Sequence, residues 1–323
     1  QHSAIGDETD WTVNGGAGEI GTQDVVSGLA VATGGVLAIF GRDSVQGLYG
    51  TSAADFQMKS ISANSGARAY TVVEMRQPVF INERGITSLE AVQSFGDFAQ
   101  SDLTRQIQPL FSNGYRPVCA TYSKSMGQYR VWDDSGRGIR LTISGSEILG
   151  VTVTEFPDQP TTCATGEKST GDEVTVFGTN DGNVHQLDTG TSFAGEPIES
   201  ILVTQYHHCG SPTVRKRFRR AYLETTGTNS TTFSVLPEID YGDEEVARQR
   251  REFISVMASG GNWGVSTWGD FVWSAPYQSN TPIALTGTGE NINMAFYHSS
   301  ADVEPHSIKG YHVHFTQRRM MRG

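Results

Sequence analysis

The sequence is poor in charge. Lys, Arg, Asp and Glu together make up 18% of its 323 residues, against roughly 25% in an average soluble domain. Cations are the scarcer sign, with 24 Lys and Arg against 35 Asp and Glu, for a net charge of −11. Tight, sequence-independent binding of nucleic acid needs a basic surface, so this balance argues against it while leaving room for a partner that passes without sticking. Cysteine is scarce too. Cys119, Cys163 and Cys209 are odd in number and far apart, which excludes a disulfide framework and a CxxC metal pattern. Free thiols, buried or half-buried in a reducing compartment, are expected instead. No run approaches the roughly 18–20 apolar residues of a transmembrane helix, so stable membrane insertion by a helix is excluded, and no charged-then-apolar leader precedes the folded pattern. The first residue is Gln1, not Met, which suggests a processed product or the ordered part of something longer. What is present suffices for a core: 37% hydrophobic and 10% aromatic residues exclude wholesale disorder. The length allows one large all-β domain or two ordinary ones.

Long helical periodicity is almost missing. Ser94 to Phe111 offers Phe98, Leu103, Ile107, Leu110 and Phe111 at helix-like spacings, with Ser101 and Asp102 as capping oxygens and Pro109 limiting the end, so one short helix is expected near 94–111. Asp243 to Arg251, acidic first and basic last, is a weaker candidate. The remainder consists of short β-branched and aromatic runs such as VLAIF, YTVVEM, QYRVWD, GVTVTEF and EVTVF, broken by Gly, Asn, Asp and Ser. That pattern predicts an all-β chain. Hairpins recur in which an aromatic residue ends one strand and a β-branched residue opens the next: Phe40 with Val45, Phe80 with Ile86, Trp132 with Ile139, Phe177 with Val184. The aromatics stand 40, 52 and 45 residues apart, the repeat length of propeller blades. One small sheet cannot bury both faces, whereas an array of them buries each against its neighbour. The expectation is a propeller-like array of short antiparallel sheets, with a pair of β-sandwiches as the alternative. Blades would fall in two groups, residues 1–157 with the inserted helix and 158–323 with a closing C-terminal strand.

Catalytic templates are missing: no GxSxG elbow, GxxxxGK phosphate loop or HExxH helix occurs. Asp133–Asp134 before Ser135 and Gly136 reads as a hairpin turn, as does Asn180–Asp181–Gly182–Asn183, which lacks the ligand spacing of a calcium loop. His207 and His208 next to Cys209, and His312 and His314 on one face of a strand, read as half-buried structural groups, since a metal would need further ligands from elsewhere. No catalytic, metal or cofactor site is assigned.

One run opposes the general composition. Arg215, Lys216, Arg217, Arg219 and Arg220 surround Phe218, and the end of the chain adds Arg318, Arg319 and Arg322. A basic run with an interleaved aromatic can bind nucleic acid. Alternation would place Lys216 and Arg220 on one face and Arg215, Arg217 and Arg219 on the other. In a chain with surplus carboxylates, pairing with acidic groups of a neighbouring subunit is the favoured reading, because an acidic surface opposes long-range attraction of DNA.

The segment Phe177 to Glu224, FGTNDGNVHQLDTGTSFAGEPIESILVTQYHHCGSPTVRKRFRRAYLE, resembles the tail nozzle or tail tubular proteins of short-tailed double-stranded DNA bacteriophages. There a GxVxQLD turn leads to GTSFxGxPI and then to an SPxxRKRFRR segment. LAIFGRDSVQGLYG, FQMKSIS, FINERGITSLEA, SDLTRQIQPLF and the closing IKGYHVHFTQRRMMR also resemble the family, so that about half the chain is covered. The resemblance implies a structural virion component with no enzymatic activity and no cofactor. It would be a homo-oligomeric, commonly hexameric, ring at the distal end of the tail, through which double-stranded DNA passes transiently. Its neighbours would be an adaptor and fibres or spikes, and it would be assembled in the host cytoplasm. The family's members are generally longer. The competing reading is a carbohydrate-binding or glycan-depolymerising propeller, for which Trp263, Trp268 and Trp273 offer stacking surfaces and which would need two carboxylates about 5–10 Å apart.

Overall fold

The computed structural model describes residues 1–323 except 5, 23, 53–54, 96–102, 113, 145–146, 228–230, 243–249, 257–277, 302–305 and 321–323. The chain divides into two compact units, residues 1–188 and 189–323. Both are built from small antiparallel sheets, with two short helices among the described residues. No helix of the described residues is long and apolar enough to cross a membrane.

The first unit is a series of meanders. Strands β1 (Val26–Ala32), β2 (Val36–Gly41), β3 (Val45–Tyr49) and β4 (Gln57–Ser62) form a four-stranded sheet in sequence order. A two-stranded hairpin follows, β5 (Val79–Ile81) and β6 (Ile86–Ser88). The second four-stranded meander comprises β7 (Pro117–Ser123), β8 (Gln128–Asp133), β9 (Arg137–Ser144) and β10 (Glu147–Glu155). The third sheet has β11 (Pro160–Glu167), β12 (Glu173–Thr179) and β13 (Val184–Gln186). Sequential four-stranded meanders are the building plan of propeller blades.

The recurrent aromatics hold this unit together. Phe40, Phe80 and Trp132 are completely buried and Phe177 nearly so. Phe40 packs on Phe80 with ring centres 4.9 Å apart. Phe156 is sandwiched between Trp132 at 6.0 Å and Phe177 at 5.0 Å, both nearly parallel to it. Each such ring removes enough apolar surface from water to contribute about 1.5–3 kcal/mol. Strands β7 and β11 are the first strands of successive sheets and lie side by side. They run in the same direction: Thr121 Oγ1 lies 2.8 Å from Thr165 Oγ1, and further along Lys124 Nζ lies 3.7 Å from Glu167 Oε1. Because of this contact, residues 158–188 belong to the first unit, and the division falls at 188/189, beyond the 157/158 boundary expected from the polar stretch there.

The expected helix over 94–111 is not one helix. Helix α1 spans Leu89–Phe95 and α2 spans Pro109–Ser112, with a 3-10 turn at Arg105–Ile107 before α2. Pro109 opens α2 instead of ending a helix, since a first-turn position asks nothing of the missing N–H. Ser88 caps α1, its Oγ accepting from Ala91 N at 3.2 Å. Phe98, Ser101 and Asp102 lie outside the described residues, as does most of the weaker candidate at 243–251. Phe111, Leu103, Ile107 and Leu110 nevertheless reach one core with Tyr129, Val131 and Leu141.

The second unit is not a meander. One sheet has the order β14–β19–β16–β17 and the other β18–β15–β20. The strands are β14 (Ile198–Val203), β15 (Val214–Gly227), β16 (Thr231–Ile239), β17 (Glu252–Val256), β18 (Gln278–Gly289), β19 (Ile292–Ser300) and β20 (His306–Met320). A single core joins Phe218, Ala221, Leu223 and Ile283 of one sheet to Phe233, Val235, Ile254, Met294 and Phe296 of the other. Two sheets sharing one core make a sandwich. The expected second group of blades over 158–323 is therefore replaced after residue 188 by the sandwich alternative. The reason is topological: β15 pairs with β18 and β20, which come long after it in the chain, so hairpin-by-hairpin reading cannot find its partners.

Candidate functional site

Strand β15 carries the basic run at the centre of a three-stranded sheet. Its inward positions are Lys216, Phe218, Ala221, Leu223 and Thr225, all buried. Regular alternation would have turned Arg220 inward after Phe218. A bulge between Phe218 and Arg220, present in the pairing with both neighbours, resets the alternation so that Arg219 and Arg220 both face solvent. An extra residue in one strand does this wherever a large group would otherwise be forced into the core. The expected placement of Arg220 beside Lys216 is thus corrected.

Lys216 is also displaced from its expected role. It is completely buried, and its Nζ donates to the carbonyls of Ser211, Val214 and Glu290, the last two at 2.8 and 2.9 Å. Three acceptors match the three N–H bonds of an ammonium group. Burial of that charge is tolerated because every proton has a partner. Lys216 therefore leaves the set of surface cations. Arg215 is half-buried and pairs with Asp240 Oδ2 at 3.4 Å.

The remaining cations gather on one exposed face. β20 runs antiparallel to β15 with Arg217 opposite Thr316 and Lys216 opposite Gln317, which brings Arg318 next to the basic run. Two groups about a hundred residues apart in sequence thus share one sheet. Arg217, Arg219, Arg220 and Arg318 are exposed, and among the described residues none has a carboxylate at ion-pair distance. Arg219 Nε donates to Thr316 Oγ1 at 3.1 Å. Arg220 Nη1 donates to Tyr222 Oη at 3.2 Å, a bond that favours its charged form. Arg319 lies on β20, and Arg322 lies outside the described residues.

Aromatic groups extend the face in a way the sequence did not announce. Tyr222 meets His314 edge-on at 5.3 Å, and His312 Nε2 lies 2.9 Å from Glu224 Oε1. The two histidines do face one side, as their spacing predicted, but Glu224 and Tyr222 are their neighbours. Arginine forks can grip carboxylates or phosphates in pairs of parallel hydrogen bonds. Chemically this face is a hydrogen-bond donor surface for anions.

Elsewhere the polar groups have structural tasks. Asp133 Oδ1 accepts from Ser135 N, Ser135 Oγ and Arg137 N, and Gly136 takes the left-handed φ of 91° that the turn requires. Asn180–Asn183 closes the β12–β13 hairpin through Thr179 N to Asn183 O. His207 Nδ1 accepts from Cys209 N, His208 contacts Tyr241, and burial raises the Cys209 thiol pKa. Burial and a bond to Glu238 push Tyr206 up to about 12. Among the described residues no three His, Cys, Asp or Glu side chains converge as metal ligands would. A cleft of about 490 Å³ in the first unit is lined, among the described residues, by Val26, Arg42, Arg68, Asn82 and Glu83. Trp263, Trp268 and Trp273 lie outside the described residues.

No family model matches the chain, and no curated protein matches it. Among solved structures, the chain is similar at 11% identity to a glycoside hydrolase family 43 arabinoxylan arabinofuranohydrolase from Bacillus subtilis, crystallised in complex with cellotetraose. The match covers 90% of this chain and 78% of that one with a TM-score of 0.20, a likeness too slight to carry an argument about fold or activity.

Proposed function

We propose that this chain is a structural, non-enzymatic subunit of a bacteriophage tail, assembling with copies of itself into a ring, commonly of six, at the distal end of a short tail. The observation that carries the reading is the exposed arginine face of β15 and β20 in a chain of net charge −11. Cations with no carboxylate at ion-pair distance among the described residues are, on an acidic protein, complementary to the acidic surface of another copy. Single exposed ion pairs contribute only about 0–1 kcal/mol, so a face of several arginines acts collectively and gives orientation more than raw affinity.

The resemblance between Phe177 and Glu224 supports the assignment to the tail nozzle family, since it spans β12 to β15. A second feature agrees with assembly: Ile201, Leu202 and Val203 are exposed along β14, which is an edge strand, and apolar edges of this kind invite pairing with another chain. In the ring, genomic DNA would slide past an acidic wall that offers few cations for phosphates to hold, because each Lys or Arg contact adds to retention. The arginine face then works between subunits and not at the bore. An adaptor and fibres or spikes are the neighbours expected in the virion, after assembly in the host cytoplasm.

Reversing the charge of the face tests this directly. Arg217→Glu combined with Arg219→Glu is expected to leave the isolated chain folded, by circular dichroism and unfolding midpoint, while abolishing the oligomer in light scattering. Intact assembly with altered DNA retention would instead place the face at the bore.

A further inference from the structure

Cys119 and Cys163, read from the sequence as unrelated thiols, are neighbours in the structure. Both are reduced. Cys119 lies on β7 two residues before Thr121, and Cys163 lies on β11 two residues before Thr165. The two threonine hydroxyls touch at 2.8 Å. Since side chains two apart on a strand share a face, and the two strands run in the same direction, the cysteines meet as the threonines do. The Cys163 thiol lies near enough to Cys119 for that neighbour to raise its pKa.

We propose that Cys119 and Cys163 are a redox-active pair that closes into a disulfide joining β7 of one meander to β11 of the next. A disulfide needs β-carbons about 3.5–4.5 Å apart, and strands of the same direction whose threonine hydroxyls touch two residues further on bring the two cysteines side by side. The two sheets are also joined just past β7, where the carboxylate of Glu173, at the start of β12, accepts from Lys124 N and Ser125 N at 2.9 and 2.7 Å. Cys163 is half-buried and Cys119 buried, which assigns their order of reaction. The co-reactant is a small disulfide such as oxidised glutathione. The Cys163 thiolate attacks one of its sulfurs, expelling a glutathione thiolate and leaving a mixed disulfide. The Cys119 thiolate then attacks the Cys163 sulfur and expels the second glutathione. Two protein thiols are oxidised, one small disulfide is reduced, and the two protons end on the two glutathiones. The neighbouring Cys119 thiol, and then burial, raise the Cys163 pKa, so the exchange is slow near neutrality and accelerates as pH rises.

The test uses the full chain, incubated at pH 8 with oxidised glutathione. Thiols are then counted in denaturant and cross-links mapped by proteolysis and mass spectrometry. The expected result is a fall from three free thiols to one, a mass lower by about 2 Da as two hydrogens leave, and a Cys119–Cys163 linked peptide that disappears on reduction. The Cys119→Ser variant should stop at a glutathione adduct on Cys163. The proposal is overturned if the folded wild type keeps all three thiols under conditions that oxidise the unfolded chain, stops at the same adduct, or forms its cross-link through Cys209.

Discussion

Lys216 Nζ donates to the carbonyl oxygen of Glu290 at 2.9 Å, tying β15 to the turn between β18 and β19. Its sequence neighbour Arg217 points the other way, into solvent. One strand thus separates two cations into a structural and a surface group, and the separation has measurable consequences.

Lys216→Met should destabilise the chain by about 3–5 kcal/mol, because the carbonyls of Ser211, Val214 and Glu290 would lose a buried charged donor at once. Arg217→Met should change stability by no more than about 0.5 kcal/mol, as exposed substitutions usually do. Denaturant unfolding of both variants checks this. Equal losses would mean that Lys216 is not enclosed as described.

Asp188 is the clasp of the first unit. Its carboxylate meets Arg130 Nη1 at 2.5 Å and Arg140 Nη1 at 3.5 Å, and Arg130 is fully buried. Asp188 has a left-handed φ of 57°, which Asn also tolerates, so Asp188→Asn removes charge without straining the backbone. The expected cost is about 2–4 kcal/mol, toward the lower side of what breaking a buried pair costs. Glu167→Gln, which breaks the exposed pair with Lys124, should cost under about 1 kcal/mol. Comparable urea midpoints for the two variants would contradict the assignment.

Stability of the second unit should fall with acid partly through His298. Burial, and then the neighbouring His306, hold its pKa below the ordinary 6.5. The rings lie 4.6 Å apart. As pH falls through 6.5, the unfolded chain takes up this proton before the folded one does. The contribution of the neutral ring is therefore complete above that pH and lost as the pH drops toward the folded value. His298→Gln keeps a group able to bond Thr231, the present partner at 2.7 Å. Unfolding midpoints measured between pH 7.5 and 5 should decline less steeply in the variant. Parallel declines would refute the role of His298.

Local features were legible in the sequence. Phe40, Phe80, Trp132 and Phe177 mark buried hairpin strands because alternation and turn residues act over a few positions, and the turns at Asp133–Gly136 and Asn180–Asn183 follow from the same short-range chemistry. Features set by distant pairing were not. The bulge beside Phe218 depends on partners in β18 and β20, and the burial of Lys216 depends on a carbonyl at Glu290. The meeting of Cys119 and Cys163 depends on two meanders lying side by side. Pro109 misled because the same ring that ends a helix also starts one.

The central claim is that copies of this chain assemble through the arginine face into a ring with a channel. Electron microscopy of the native assembly tests it most directly. The account predicts a closed ring with a central opening wide enough for duplex DNA, about 20 Å or more given grooves of 6–12 Å lined by backbone on both sides, with β15 and β20 at the contacts between subunits. A monomer, or a ring in which the arginines line the opening, would contradict it.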